Sequence, residues 1–269
     1  MKIRHADAAE GMPVENTFIA LDDLESKIGE AGVQETMVPA LCPERPHHIL
    51  VRAECEPEAE SALLGAATAR ALVVARQKPG MPALVYAECK PGDKARMNAL
   101  EALGYRDEDG LVRTRRVLKR GPIIRSLPAG CTIVRDYLSD AGESKYFLER
   151  YNAMFGRSRD AAWLKGLKQM SEFARLIMIS PSGLAGEMIV WEENRRGVVG
   201  IAITTPAWQR RGVASYLMEL ARLYFLDRGL SEAYFDVRTR LTGAQRLAAT
   251  SGFRPAEMQM RYPSIDVYG

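Results

Sequence analysis

Apolar positions in the second half of the chain change period several times. Residues 131–134 alternate and predict a short strand. In "SDAGESKYFLERYNAMFG" Tyr146, Leu148, Tyr151 and Phe155 recur at roughly helical spacing. Asp140 stands where a helix is capped at its start and Gly156 where it is capped at its end. Ser158 precedes a second helical pattern with Trp163, Leu164, Leu167 and Met170. "RLIMISPSGLAGEMIVWEEN" is two β-rich runs meeting at Pro181, Ser182 and Gly183, which predicts a hairpin. "RGVVGIAITT" is apolar enough to be a central strand. Residues 214–227 put Leu217, Leu220, Ala221 and Tyr224 on one helical face, and Gly229 follows. "EAYFDVRT" is a strand, 243–250 a short helix ending at Gly252, and "MQMRY" a last strand. The predicted order is β-α-α-β-β-β-α-β-α-β.

The first half contains a shorter version of that ending. "HHILVRAE" predicts a strand, "ESALLGAATARALVVARQ" a helix, "ALVYAEC" a strand, "KARMNALEALGY" a helix and "GLVRTRRVL" a strand. Both halves run from a short helix into Gly-aromatic (Gly104-Tyr105, Gly252-Phe253) and then a strand carrying arginine. Agreement of five successive elements in order and approximate length suggests internal duplication, although such endings also recur by chance in α/β proteins. "KRGPIIRSLPAGC" (119–131) has two prolines and two glycines without periodicity, and we place the domain boundary there: 1–122 and 128–269.

Composition changes this picture little. The chain has 269 residues, 47% hydrophobic and 26% charged, the profile of a globular protein of one large or two ordinary domains. A net charge of +3 gives no global field for nucleic acid or an acidic membrane. Cys42, Cys55, Cys89 and Cys131 form no CxxC pair, and the three histidines have no zinc-ligand spacing, so no metal is expected. No apolar run approaches the roughly 18 residues of a membrane helix, and no leader pattern opens the chain. A cytoplasmic protein, monomer or homodimer, without nucleic-acid or membrane partners is expected.

The chemistry concentrates in "ITTPAWQRRGVASYLMELA" (203–221). A strand, a proline, two arginines and a glycine precede a long amphipathic helix. A helix start offers unpaired N–H groups and positive partial charge, glycine admits an anion to the backbone, and arginines add charge. Gln209, Arg210 and Arg211 would surround a phosphate group, with the N–H groups of Gly212, Val213 and Ala214 aimed at it. Arginines on a solvated face and a glycine in an ordinary turn would look the same; the strand-loop-helix context favours the phosphate cradle.

With "VVGIAITTPAWQRRGVASYLMELA" and "FDVRTRLTGAQRLAATSGF", residues from about 131 to 265 resemble a GNAT-superfamily acetyltransferase domain. The first half resembles a shortened, degenerate copy, so the whole chain resembles tandem-GNAT proteins. The implied fold is α/β (α+β): two tandem domains, each a mixed, mostly antiparallel central sheet flanked by helices. The implied cosubstrate is acetyl-CoA, and the implied reaction is direct attack of an acceptor amine on its thioester. The resemblance also implies that the fourth and fifth strands of the domain splay, with backbone at 200–203 (Ile201, Ala202, Ile203) pairing with pantetheine and an N–H near Ile203 serving as oxyanion donor. In the first copy, "PEAESALL" (57–64) replaces the loop and lacks glycine, and with the preceding Glu56 it places three glutamates there. Acidic groups at a diphosphate site repel it, so only the C-terminal domain is expected to bind CoA.

The sequence departs from the family at the general acid. The positions that often hold Asn and Tyr there are Leu241 and Ala248. Ser251, Thr250, Tyr262, Tyr268 or water remain as substitutes. Asp236, at a position often acidic in the family, and Glu187, alternating with Ile189 and Trp191, are the candidate bases. Each has a plain structural alternative: a strand acid facing solvent or a helix, and a partnered glutamate. Trp208, Trp163 and Tyr151 read as packing, and Asp140, Glu143 and Glu149 as solvated helix acids that would also attract a cation. The expected activity is acetyl-CoA-dependent N-acetyl transfer to a primary amine of a small molecule. A non-catalytic acyl-CoA sensor and an aminoacyl-tRNA-dependent transferase are the alternatives, the latter disfavoured by the balanced charge.

Overall fold

A computed structural model describes residues 1–7 and 13–268 of the protein. In chain order its elements are β1 (Lys2–His5), β2 (Thr17–Leu21), β3 (Lys27–Met37), β4 (His47–Cys55), α1 (Pro57–Arg76), β5 (Ala83–Ala87), α2 (Lys94–Ala102) and β6 (Gly110–Val117). There follow β7 (Thr132–Asp136), α3 (Ala141–Phe155), α4 (Ala161–Lys168), β8 (Ser171–Ser180), β9 (Gly183–Glu193) and β10 (Arg196–Thr204). The last are α5 (Val213–Asp227), β11 (Glu232–Arg238), α6 (Thr242–Thr250), β12 (Arg254–Arg261) and β13 (Ser264–Val267). The chain divides into two compact units: residues 1–111 with 258–269, and residues 112–257.

The first unit is built on a six-stranded sheet of order β1-β2-β3-β4-β5-β13. Pairing is antiparallel except between β4 and β5, which α1 connects. The apolar stripe of α1 is rich in alanine: Ala59, Leu63, Leu64, Ala67, Ala71 and Val74 are buried against Val33, Ile49, Val51 and Val85. Short side chains let the helix lie close to the sheet, where dispersion contacts are densest.

The second unit has a seven-stranded sheet of order β12-β6-β11-β10-β9-β8-β7. One face is covered by α5 and α6. There Leu217, Met218, Ala221, Tyr224 and Phe225 bury against Leu176, Met178, Met188, Val190, Val199 and Phe235. The other face carries α3 and α4, with Phe147, Leu164, Phe173, Ile189, Ile201 and Ile203 buried together. Glycines permit the closest approaches. A Cβ on Gly186 would lie 2.7 Å from Cγ1 of Val213, so this glycine lets the first turn of α5 rest on β9.

Helix punctuation follows the sequence reading where the cap chemistry is unambiguous. Asp140 accepts from the Glu143 N–H, and Gly156 closes α3 in the left-handed region at φ 58°. The start of α4 differs. Asp160, not Ser158, accepts from the Trp163 N–H, because the helix begins two residues later than its apolar pattern suggested. Strands β1, β2, β3 and β13 lie outside the sequence-derived elements.

The boundary drawn at 119–131 does not coincide with the edges of the compact units. β6, assigned from sequence to the first domain, sits in the second sheet between β12 and β11, and β13 sits in the first sheet beside β5. Local pattern identifies a strand but not the sheet edge it completes; that choice depends on long-range pairing.

Candidate active site

The decisive feature of the second sheet is where β10 and β11 stop pairing. They run parallel only through Gly197–Ala233, Val198–Tyr234 and Val199–Phe235. β10 continues along β9 as far as Thr204, with a register shift between Val199 and Ile201 centred on Gly200. Beyond Val199 the two strands part, so the edge of β10 at Ile201, Ala202 and Ile203 is released from its parallel neighbour. A released edge presents backbone groups able to pair with the amides of an extended ligand.

The parted strand leads directly into the basic loop. Thr205 anchors its start: its N–H donates to the Ala185 carbonyl (3.0 Å) and its hydroxyl to the carbonyls of Leu184 and Ala185 (3.2 and 3.1 Å). A short 3-10 turn, Pro206–Trp208, follows. Arg210 and Gly212 both adopt positive φ, 59° and 84°. Such turns direct successive backbone N–H groups toward a common point. Gly212 is the N-cap of α5 and has no side-chain cap, leaving the first-turn N–H groups of Val213 and Ala214 without a side-chain acceptor. Gln209, Arg210, Arg211 and Gly212 are exposed, Val213 is buried and Ala214 half-buried. Arg211 stacks over Trp208, 5.3 Å from the ring centroid, so this arginine is held by an aromatic platform.

The sheet face under α3 carries an ion-pair network. Glu187, on β9 opposite Ile203, is fully buried. Its Oε1 accepts from Arg150 Nε (2.8 Å), and its Oε2 accepts from Arg150 Nη2 (3.1 Å) and Arg175 Nε (2.7 Å). Arg175, 2% exposed, also donates to Asp136 (3.1 Å) and Glu143 (3.0 Å). Burial works against its charge, but Glu187, Glu143 and Asp136 together outweigh that and hold the guanidinium above its ordinary range. Glu187 does share a face with Ile189 and Trp191. Its carboxylate accepts from two arginines, the arrangement of a partnered glutamate. Arg175, a charge inside the apolar run "RLIMIS", was the sequence signal for that network.

Asp236 is the first residue of β11 past the last ladder pair. Both its oxygens accept from Arg113 of β6 at 2.9 Å. Asp236 is thus a strand acid paired with an arginine from β6, a partner that local pattern in the sequence does not reveal. Ser251 is buried just past the end of α6, its N–H bonded to the Leu247 and Ala248 carbonyls. Thr250 donates its hydroxyl to the Arg246 carbonyl (2.8 Å) on the helix surface, and Tyr262 and Tyr268 belong to the first unit. Tyr151 stacks on Trp163 and on Phe155, each at 4.7 Å, consistent with their packing role. Glu143 pairs with Arg175 and Asp140 caps α3, so neither is a loose surface acid.

The corresponding region of the first unit is closed. β4 and β5 pair as far as Val51–Ala87, and beyond that point Arg96 of α2 fills the space. It donates to the carbonyls of Glu88 (2.9 Å) and Ala53 (3.2 Å) and to Glu60 (2.9 Å) in the first turn of α1. One guanidinium thus ties together the two strands and the helix start.

Residues 132–253 match the profile of the acetyltransferase (GNAT) family. The second unit carries a GNAT domain. At the level of fold the likeness extends over both units. A GCN5-related N-acetyltransferase from Sphaerobacter thermophilus aligns over 97% of this chain and 84% of its own, at 17% identity and TM-score 0.54. A conserved protein of unknown function from Enterococcus faecalis V583, described as a probable N-acyltransferase, aligns over 92% and 61%, at 15% identity and TM-score 0.55. A GCN5-related glucosamine N-acetyltransferase region of a fungal multi-domain GH3 β-N-acetylglucosaminidase aligns over 93% and 33%, at 13% identity and TM-score 0.52. No curated protein matches the sequence. The two sheets are therefore tandem GNAT-like α/β folds, mixed and mostly antiparallel.

GNAT domains use an acyl-CoA, and the loop of this one suits its diphosphate. A Cβ added to Gly212 would meet nothing within 4 Å, so the space before the helix start is open, and two arginines border it. Among the described residues no group of His, Cys, Asp and Glu is arranged to hold a metal ion, and no helix is long and apolar enough to cross a membrane.

Proposed function

We propose that this protein is an acetyl-CoA-dependent N-acetyltransferase acting on a primary amine of a small molecule, with the coenzyme held by the C-terminal GNAT domain. The observation that carries the reading is the parting of β10 from β11 beyond Val199, immediately ahead of a helix start capped by a left-handed glycine. The coenzyme supplies an acyl group activated on a thioester sulfur. Gln209, Arg210, Arg211 and the N–H groups of Gly212, Val213 and Ala214 hold its diphosphate. The backbone of Ile201, Ala202 and Ile203 pairs with its amides, and an N–H near Ile203 stabilises negative charge developing on the carbonyl oxygen. Catalysis on this reading is mainly positioning of a neutral amine against the thioester.

The roles of the three side chains follow their partners. Glu187, clamped by Arg150 and Arg175, fixes α3 against β9 beside the reacting strand. Asp236, clamped by Arg113, shapes the mouth of the gap. Ser251 is the buried hydroxyl just past the end of α6, close in sequence to Ala248, the position where the family often has a tyrosine. Calorimetry with coenzyme A and a thioester-consumption assay over an amine panel test the reading. One coenzyme per chain and amine-dependent thiol release are expected; absence of binding refutes it. The commitment of both carboxylates to arginine favours a second reading, a sensor that binds acyl-CoA without turnover. Saturable binding with no thiol release for any amine would select it.

A further inference from the structure

The total charge of +3 conceals an asymmetry. The second unit, residues 112–257, holds 24 lysines and arginines against 14 aspartates and glutamates, and the first unit holds 13 against 20. Taken by itself, the second unit attracts anions. Four of its arginines stand at one end of its sheet. β10 ends at Thr204 and leads into the loop with Arg210 and Arg211. α3, on the opposite face from α5, runs the same way as β10. Glu143 in its first turn bonds Arg175, beside Ile189 and hence level with Ile201, whereas Arg150 bonds Glu187, level with Ile203. Phe155, the last residue of α3, lies roughly 7 Å further on. The loop after it, with Arg157 and Arg159, therefore emerges at the end of the sheet where the coenzyme loop begins. Arg157, Arg159, Arg210 and Arg211 are exposed, and among the described residues none has a carboxylate partner.

The acids of the α3 face are placed differently. Asp136, Glu143 and Glu187 converge on Arg175, the first two at the start of α3. Glu193 stands at the far end of β9, opposite Arg196. Glu149 lies 4.0 Å from Lys145, and Asp160 caps α4 through the Trp163 N–H. The loop itself is held in shape. Gly156 turns it in the left-handed region, and Asn152 grips Arg159 twice, accepting from its N–H and donating to its carbonyl, both at 2.8 Å. The Arg159 guanidinium lies over Trp163, 5.5 Å from the ring centroid, and that ring stacks on Tyr151. A guanidinium seated on an aromatic ring and lacking an anionic partner suits a carboxylate or a phosphate. The coenzyme's diphosphate accounts for Arg210 and Arg211. It does not account for Arg157 and Arg159, which lie on the other face.

We infer that Arg157 and Arg159 bind an anionic group of the acceptor, so that the acceptor class is an amine that also carries a carboxylate or a phosphate. This rests on the transferase reading above. The two arginines are specificity-determining residues; amine attack and thiolate release need nothing from them.

The test uses the full chain with acetyl-CoA saturating. Specificity constants, corrected to the neutral fraction of each amine, are measured for acceptors paired to differ in the anion. Amino acids are compared with their amides, and O-phosphoethanolamine with ethanolamine. The anionic member is expected to win by about tenfold or more in one arm, and that arm names the group as carboxylate or phosphate. The double variant Arg157→Gln, Arg159→Gln should cut the preference to about threefold or less through KM, with coenzyme A affinity by calorimetry within twofold. Arg195→Gln removes the same charge from the turn between β9 and β10, at the other end of the sheet, and should leave the preference intact. No anionic preference in either arm, a preference unchanged in the double variant, or an equal loss in Arg195→Gln would each overturn the inference. If the double variant fails to fold, added salt decides in the wild-type protein: it should shrink the preference, and a preference indifferent to salt overturns the inference. Failure of the wild-type protein to bind coenzyme A would instead remove the transferase reading itself.

Discussion

Replacing Gly212 by alanine separates the fold from the coenzyme. Gly212 sits at φ 84°, and an added Cβ meets no protein atom within 4 Å. The folded protein therefore objects only through backbone strain. An L-residue held in the left-handed region costs about 1–2 kcal/mol, a fall in thermal midpoint of a few degrees for a unit of this size. The coenzyme meets two further effects. The methyl occupies the open space at the helix start, and any relaxation of φ turns the N–H groups of Gly212 and Val213 away from their common point. Losing one charge-assisted hydrogen bond is worth about 1.5–3 kcal/mol, or roughly 10- to 100-fold in dissociation constant. Thermal denaturation of the free protein and calorimetry with coenzyme A measure the two separately. A fall in midpoint with an unchanged dissociation constant would show that the diphosphate is not held at this helix start.

Three further outcomes follow from other groups. Glu187→Gln leaves Arg175 buried without its innermost anionic partner, so urea denaturation should show a loss of about 3–5 kcal/mol; a stability loss under 1 kcal/mol with abolished turnover would instead restore Glu187 as a proton acceptor. His47 is fully buried, its Nε2 2.9 Å from Glu35 and close to Lys78, and burial, then Lys78, lower its pKa below 6.5 despite Glu35. The unfolded chain thus takes up the proton first, so this contribution is complete above about pH 6.5 and is lost as pH falls toward the folded value; His47→Gln should flatten that part of the stability profile, and an unchanged slope would refute the assignment. Coenzyme titration should saturate at one site per chain because Arg96 and Glu60 close the first unit's gap; two sites would overturn that account.

What the sequence determined was local. Alternation, helical spacing, Asp140 and Gly156 as caps, and the proline-arginine-glycine loop are set by residues within a few positions of one another, and the loop follows from the backbone demand of a positive φ before α5. The GNAT likeness was legible for the same reason, since its motif is contiguous. The tertiary structure decided what depends on pairing across the chain. It put β6 beside β11 and β13 beside β5, brought Arg113 to Asp236 across more than a hundred residues, and set Arg150 and Arg175 on Glu187. A carboxylate's chemistry is fixed by the charges that reach it, and no local pattern records which arginine, from which strand or helix, will arrive.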